Sequence, residues 1–404
     1  MSRRAPQDEA EKWMRIALVE AAKGLGRTSP NPVVGAVLVK GGRMIAKGFH
    51  AYAGGPHAEV VALREAGGRA AGADLYTTLE PCAHHGKTPP CAQAIIEAGV
   101  GRVIFASTDP NPLVNGRGRR QLSKAGIDVW PKLLQREADM LNRPFFKWAK
   151  TGRPFVSLKI ASSLDGFLAT ATGDSKWITG PPSRQRVHEL RDKVDAIVIG
   201  AGTVLSDNPR LTSRPRGRKG KNPLRVVLDT HLRSPLGAHI FKAQKQAPTL
   251  IASARGCNER KAALLRERGI ECWELPLKGG RVSLGVLLKK LGARGCTHIL
   301  IEGGAGIFSS FLKEGWADEL LLFLAPKLIG QGGKGWSGGW RLKEIAQAPL
   351  LHILETERIG EDVLIRSALG GRHVNKARHN VNPKHDTMSP KVDISPPVQK
   401  KRGC

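Results

Sequence analysis

His57-Ala58-Glu59-Val60 and, further along, Thr78-Leu79-Glu80-Pro81-Cys82-Ala83-His84-His85-Gly86-Lys87-Thr88-Pro89-Pro90-Cys91 decide how this chain is read. One imidazole and two thiols suit zinc. Three protein ligands leave the fourth tetrahedral position open for a water, the pattern of a catalytic site rather than a closed structural one. Glu59, two residues after the histidine, is placed to move protons on and off that water. Spacing then constrains the second half of the motif. As a single helix, Cys82 and Cys91 would lie roughly 13 Å apart at ~1.5 Å rise per residue. Two sulfurs on one zinc are separated by no more than about 4–5 Å. The insert therefore has to loop back, for which Gly86, Pro89 and Pro90 are suited.

H-x-E followed by P-C and a second cysteine is the signature of zinc-dependent nucleobase deaminases. Commoner members read P-C-x-x-C, so the longer loop, with His84, His85, Lys87 and Thr88 on it, implies a substrate with its own anionic handle. Taken singly, a buried cysteine is usually a small hydrophobe and a histidine usually hydrogen-bonded structure. In this order and at these junctions the metal reading outweighs both.

The flanking pattern is layered α/β. Residues 9–25 read as an amphipathic helix, Val33–Val39 and Met44–His50 as strands joined by Gly41-Gly42. Pro56 opens a helix expected to carry His57 and Glu59. Leu75–Thr78 is read as a strand delivering Pro81-Cys82, Cys91–Ala98 as a helix, and Val100–Ala106 as the next strand. A boundary is expected near Leu141–Arg153, where Asn142-Arg-Pro and Lys150-Thr-Gly-Arg-Pro read as turns. The second half alternates strands at Phe155–Ser162, Ala196–Ile199, Arg225–Leu228, Thr249–Ala252, Ile270–Leu275 and His298–Ile301 with helices at 183–193, 258–267 and 282–291. Glu302-Gly-Gly-Ala-Gly306 then opens a helix at Ile307–Leu312. Strand, glycine-rich turn and helix N-terminus form a phosphate-binding arrangement, although the run does not match the dinucleotide fingerprint G-x-G-x-x-G.

At 404 residues, two or three domains are expected. The opening residues lack a signal peptide's apolar core, and no apolar run approaches the ~18 residues of a membrane span. Six cysteines, two of them in the metal motif, fit a reducing cytoplasm. The net charge of +29 is spread along the chain, with one local cluster at Arg214, Arg216, Arg218, Lys219 and Lys221. Spread charge favours solubility or anionic small substrates over a nucleic-acid groove. A transfer-RNA base deaminase with a basic C-terminal half is the alternative; it predicts P-C-x-x-C and a concentrated basic face. After about Leu369 the chain turns polar and rich in Lys, Asn, Pro and His, the composition of disorder.

Thr28-Ser-Pro-Asn-Pro-Val-Val-Gly-Ala, His57-Ala-Glu-Val, the long P-C-x8-C loop and Asp109-Pro-Asn-Pro together resemble the bifunctional riboflavin-biosynthesis deaminase/reductase family. Leu158-Lys-Ile-Ala-Ser-Ser-Leu-Asp-Gly166, Lys176-Trp-Ile-Thr179, Asp207-Asn-Pro-Arg-Leu-Thr and Glu302-Gly-Gly are similar to its reductase half. The resemblance implies a three-layer cytidine-deaminase-like domain (1–148) and a dihydrofolate-reductase-like α/β domain that uses NADPH (149–369). A basic tail (370–404) would follow. By position it implies zinc on His57, Cys82 and Cys91, with Glu59 as proton shuttle. Substrate would be held by Asn31, His50, Lys87 and Asn111 in one half. In the other, Ser175, Arg191, Leu211, Arg214 and Glu302 would hold it, the two arginines facing a 5′-phosphate. NADPH contacts would come from Ala161, Trp177, Thr203, Asp207, Thr230 and the run Gly304, Ala305, Gly306, Ile307, Phe308, Ser309 and Ser310. Lys159 and Asp207 would polarise the sugar and relay a proton. A phosphorylated, pyrimidine-nucleotide-like substrate is expected, in a homo-oligomer with no nucleic-acid or membrane partner.

Overall fold

Gly41 and Gly42, at φ 58° and 70°, turn strand β1 (Gly35–Lys40) back into β2 (Arg43–Phe49). Two successive positive-φ positions make the tight hairpin turn that matches strand twist, and glycine takes both without strain. The structure, a computed structural model, describes residues 7–83, 90–110, 116–338 and 343–370. In the first half β3 (Asp74–Leu79) lies beside β1, followed by β4 (Arg102–Ser107) and β5 (Asp128–Pro131), in the order β2-β1-β3-β4-β5. β1 is antiparallel to both its neighbours, β2 and β3, while β3, β4 and β5 are parallel. Helices α1 (Gln7–Ala22) and α5 (Gln135–Leu141) cover one face; α2 (Ala58–Ala66), α3 (Cys91–Glu97) and α4 (Arg117–Lys124) cover the other.

The alternation of strand side chains explains why the strands read as unbroken apolar runs. Ala36, Leu38, Leu75 and Val103 join the core under α2–α4, whereas Val37, Val39, Tyr76 and Ile104 join the core under α1 and α5. The expected three layers are present.

Between the halves, residues read as turns form a helix, α6 (Arg143–Thr151). Pro144 lies in its first turn, where its missing N–H costs nothing. The Asn142 amide exchanges two hydrogen bonds with the backbone of Val33 (2.9 Å each). On the other side Arg143 pairs with Glu319, Lys147 with Asp318 (2.5 Å), and the Trp148 indole donates to Gly292 O (2.9 Å).

The second half is built on β6 (Phe155–Ser163), β8 (Ala196–Gly200), β9 (Leu224–Leu228), β10 (Thr249–Ala254), β11 (Glu271–Leu275), β14 (His298–Ile301), β15 (Glu319–Ala325), β17 (Leu351–Ile359) and β18 (Asp362–Leu369). Short pairs are β7 (Phe167–Ala169) with β16 (Lys334–Gly335) and β12 (Leu277–Lys278) with β13 (Arg281–Val282). The nine strands run β11-β10-β9-β8-β14-β6-β15-β18-β17, parallel up to β15 and antiparallel thereafter. Helices α7 (Pro181–Lys193), α8 (Ala201–Asp207), α9 (Glu259–Glu267), α10 (Leu284–Ala293) and α11 (Ala305–Lys313) pack over the sheet. Val156, Leu158 and Ile160 of β6 enter the core with α10 and α11; Ile197 and Ile199 of β8 enter the opposite core with Val187, Val204 and Leu265. The chain leaves β8 toward the β11 edge of the sheet and leaves β14 toward the β17 edge. Ligands of open α/β sheets bind at the carboxyl ends of strands where the order reverses in this way.

Candidate active sites

In the first half, β3 ends at Leu79 and the chain turns through Pro81-Cys82, while α3 begins at Cys91. The start of α3 donates back to that turn: Cys91 N to Cys82 Sγ (3.3 Å) and Ala92 N to Cys82 O (3.1 Å). Both sulfurs are thereby seated at one helix N-terminus, where the hydrogen bond with Cys82 and then burial push the Cys91 thiol up. Glu80 holds the turn from behind by accepting from Gly116 N and Arg119 N (3.1 Å each). Gly118 packs so closely that a Cβ there would lie 1.8 Å from Pro81 O. Glu80 and Gly118 were not singled out in the sequence, because nothing in local spacing tells that α4 abuts the cysteine turn.

His57 was expected on the helix. It is instead the residue before it, in extended conformation at φ −71° and ψ 157°, with Glu59 in the first turn of α2. An extended residue at this junction frees its ring from the helix surface. The His57, Cys82 and Cys91 donor atoms lie within 4.8 Å of one another, with Nδ1 of His57 2.9 Å from Cys91 Sγ and 3.6 Å from Cys82 Sγ. Around a tetrahedral zinc, neighbouring donors are separated by roughly 3.6–3.8 Å; the His57–Cys82 pair matches that spacing, the closer His57–Cys91 pair is at hydrogen-bond distance, and the donor set of one imidazole and two thiols is one that zinc takes. Hydrogen bonding from Cys91 and His57 outweighs burial and draws the Cys82 thiol down to about 4. Glu59 is buried beside them, accepting from Thr77 Oγ1 (3.4 Å) and Cys91 Sγ (3.5 Å). Burial pushes its carboxyl up, against the pull of His57. Asn31 Nδ2 meets His50 Nε2 at 3.1 Å, and the two rings of His50 and His57 lie edge to face at 5.5 Å. Thus Asn31 and His50 border the metal-ligand cluster. Lys87 and Asn111, with His84 and His85, lie outside the described residues.

In the second half, Arg191 of α7 forms a two-pronged pair with Glu302, which follows β14, at 2.7 Å on each prong. Burial pushes the Glu302 carboxyl up, but Arg191 and then Lys159 and His188 pull it below the usual range. Lys159 on β6 is held down by burial, against Glu302, which raises it. Arg191 and His188 both reach Thr212 O (3.2 Å each), and His188 is further depressed by burial and by Arg191 and Arg214. Lys159, Arg191, Arg214 and Glu302 thus form one charged group, with the buried Leu211 (φ 51°) on the same loop. Asp207 stands apart from it. It is exposed at the end of α8, where Ser206 Oγ donates to it (2.8 Å), and it is not among the charged neighbours of Lys159.

The glycine turn after β14 follows Glu302 directly. Gly303, at φ 139°, faces Thr203: a Cβ there would lie 2.9 Å from Thr203 Oγ1. Gly304 (φ 82°) caps α11, which starts at Ala305, two residues before the expected start. The amides of Ile307 and Phe308 already bond to Gly304 O, so the open donors of the first turn are those of Gly304, Ala305 and Gly306. Ile307, Phe308 and Ser309 turn their side chains into the interior, Ser309 Oγ donating to Ser337 O and Gly338 O. Ser310 Oγ donates to Gly306 O (2.9 Å). Ala161 lies two residues beyond Lys159 on β6; Ser175 and Trp177 lie on the segment before α7. Trp177 is exposed, with Arg184 over its ring at 4.6 Å. Thr230 follows β9 and receives Val282 N at 3.4 Å.

The zinc-binding region of cytidine and deoxycytidylate deaminases matches residues 7–107, and the RibD C-terminal domain matches residues 154–365. The chain is 43% identical over 355 residues to the riboflavin biosynthesis protein RibD of Aquifex aeolicus (strain VF5), covering 88% of this chain and 97% of that protein. It is 40% identical to that of Escherichia coli (strain K12), covering 88% and 98%. The chain belongs to the RibD family. Among solved structures, RibD of Acinetobacter baumannii superposes with a TM-score of 0.82 at 38% identity, over 90% of this chain and all of that one. A Thermotoga maritima deaminase/reductase gives 0.80 at 38% identity, over 90% and 99%. As a RibD-family member the chain is a bifunctional deaminase and reductase of riboflavin biosynthesis, using zinc in its first half and NADPH in its second.

Proposed function

We propose that residues 1–148 deaminate 2,5-diamino-6-(5-phosphoribosylamino)pyrimidin-4-one at C2, releasing ammonia, and that residues 149–369 reduce the ribosyl unit of the product to ribityl. The observation that carries this reading is the convergence of His57, Cys82, Cys91 and buried Glu59 at one strand–helix junction. His57, Cys82 and Cys91 hold the zinc, which supplies Lewis acidity that makes water a usable nucleophile near neutral pH. Glu59 takes one proton from the attacking water and passes it to a ring nitrogen, then takes the second from the new C2 hydroxyl and passes it to the departing amine, so that the C2–N bond breaks, ammonia leaves and a C2 carbonyl remains. Asn31 and His50 orient the pyrimidine, with Lys87 and Asn111 as the remaining contacts.

In the second half Arg191 and Arg214 face the substrate phosphate, and Glu302, Leu211 and Ser175 complete its binding. NADPH supplies the hydride. Ala161, Trp177, Thr203, Asp207, Thr230 and the Gly304–Ser310 turn hold it. Lys159, depressed by burial, gives a proton to the sugar oxygen as hydride arrives. The exposed position of Asp207 favours a cofactor contact over a place in that relay.

The enzyme acts in the cytoplasm, without nucleic-acid partners, as a homo-oligomer. Supporting this, the described cysteines are all free and no described helix is long and apolar enough to cross a membrane. Ile345, Leu350 and Ile353 are 91%, 63% and 66% exposed near the β17 edge, an apolar strip suited to a second copy. A coupled assay tests the whole. With the phosphoribosyl pyrimidine supplied, ammonia should appear first and NADPH consumption should follow it. Ammonia without NADPH consumption, or neither, would refute the two-step reading.

A further inference from the structure

A buried carboxylate joins the two halves of the chain. Asp192, next to Arg191 at the end of α7, is 2% exposed and is held by three residues from two segments. From the first half, Arg27 grips both carboxylate oxygens (2.9 and 3.1 Å) and the Asp192 carbonyl (2.9 Å). From the basic loop of the second half, Arg218 Nη2 donates at 2.6 Å and the Lys221 amide at 2.6 Å. Lys221 Nζ closes the circuit onto Gly26 O (2.6 Å).

Both segments, and α7 itself, lead into proposed substrate sites. Arg27 is four residues from Asn31, Arg191 precedes Asp192, and the basic loop continues from Leu211 and Arg214. The 26–31 segment is seated on the second half along its length. A Cβ on Gly26, at φ 75°, would lie 2.4 Å from Asp192 O; Ser29 Oγ meets Thr297 Oγ1 at 3.1 Å; and Pro30 packs 3.8 Å from where a Cβ of Gly295 would be. Closely packed groups with such short contacts move together or not at all.

We propose that Asp192 is a positioning residue for both reactions, holding the Asn31 segment of the deaminase and the Arg191–Arg214 phosphate site of the reductase in register with each other. The inference rests on the assignment of those residues as substrate contacts. Charge-assisted bonds buried at a junction carry geometric specificity. Removing one leg should therefore loosen substrate binding in both halves while leaving zinc, Glu59 and the hydride geometry in place.

The test uses the full-length enzyme and measures ammonia release from the phosphoribosyl pyrimidine and NADPH oxidation on the supplied deaminated intermediate separately. Asp192→Asn and Arg27→Met are each expected to raise KM roughly threefold to thirtyfold in both assays, with kcat little changed. Lys147→Met, which removes an interdomain ion pair remote from Asp192, serves as the control and should leave both KM values unchanged. If Arg27→Met raises only the deaminase KM, if neither variant moves KM, or if Lys147→Met matches them, the shared-positioning role is overturned. Wild-type activity in the two assays, measured alongside, reports separately on the underlying function. A variant too unstable to assay is replaced by Gly26→Ala, which wedges the same contact from the other side and must give the same two-sided rise in KM.

Discussion

The deaminase centre and the reductase centre are built on different plans. The first draws its ligands from two short stretches and fixes them with a helix N-terminus and a buried turn, so that three donors and one carboxyl meet within a few ångströms. The second, as proposed, gathers Lys159, Arg191, Leu211 and Arg214 from a strand, a helix and a loop and joins them to Glu302, 111 residues beyond Arg191. The difference follows from the chemistry. A metal ion needs a few donors at set distances. Hydride transfer needs a cofactor and a substrate held face to face, which takes many weak contacts spread over a surface. The first site should therefore fail abruptly when one atom is changed, and the second by degrees.

The sharpest break is expected from Cys91→Ala. With one of three protein donors gone, zinc content measured by elemental analysis should fall towards none and ammonia release should drop to background. NADPH oxidation of the supplied intermediate should continue, and its loss would show that the ion supports the whole chain. Glu59→Gln comes next. Ammonia release should fall by about 10²- to 10⁴-fold while zinc content stays at the wild-type level. A loss of zinc would make Glu59 a structural prop rather than a proton carrier.

Gly303→Ala probes the more distributed site. The residue sits at φ 139°, and its new methyl would press on Thr203 Oγ1 at 2.9 Å. Strain of this kind costs about 1–3 kcal/mol. It should appear as a raised KM for NADPH with ammonia release unaltered. An unchanged KM would remove the Gly303–Thr203 contact from the cofactor site.

The same contrast decides what the sequence disclosed. The approach of His57, Glu59, Cys82 and Cys91 to one another was readable because donor chemistry and spacing are local, and the nearness of Cys82 to Cys91 followed from the reach of one ion. The strands β1–β4, β6, β8–β11 and β14 were visible as apolar runs, whereas the short β5, β7, β12 and β13 and the buried β15 were not read as strands. Other features that went unread show why. α6 hid behind Asn142-Arg-Pro, because proline in a first helical turn looks like a loop until the following apolar face is seen to pack. The edge strand β17 carries mostly exposed side chains, and its neighbour β18 a mixture of mostly half-buried and buried ones, so no clear core pattern marked them. Asp192 has no motif at all. Its importance lies in partners 165 residues before it and 26 residues after it, contacts that only the folded chain creates. For the reductase residues, family resemblance supplied positions that spacing alone did not.

The smallest effect is an acid dependence carried by the Arg191–Glu302 pair. Burial alone would raise the Glu302 carboxyl, but Arg191, with Lys159 and His188, leaves it net below its ordinary value. A carboxyl whose pKa is depressed by folding stabilises the fold above its unfolded value of about 4.3. That contribution fades as the pH falls through the folded value. Wild-type protein should therefore lose part of its thermal stability between about pH 5 and the depressed folded-state value. Each ~1 kcal/mol of that loss should lower Tm by about 2–4 °C in a domain of this size. Glu302→Gln should be less stable at neutral pH, because Arg191 keeps its charge without a carboxylate opposite. Its melting temperature should then fall less steeply with acid. The difference between the two pH profiles isolates this pair from Asp192 and Glu319, which are also depressed and respond in both proteins alike. Parallel profiles would mean that Glu302 is not ionised against Arg191, and that the charged centre of the reductase is organised by other residues.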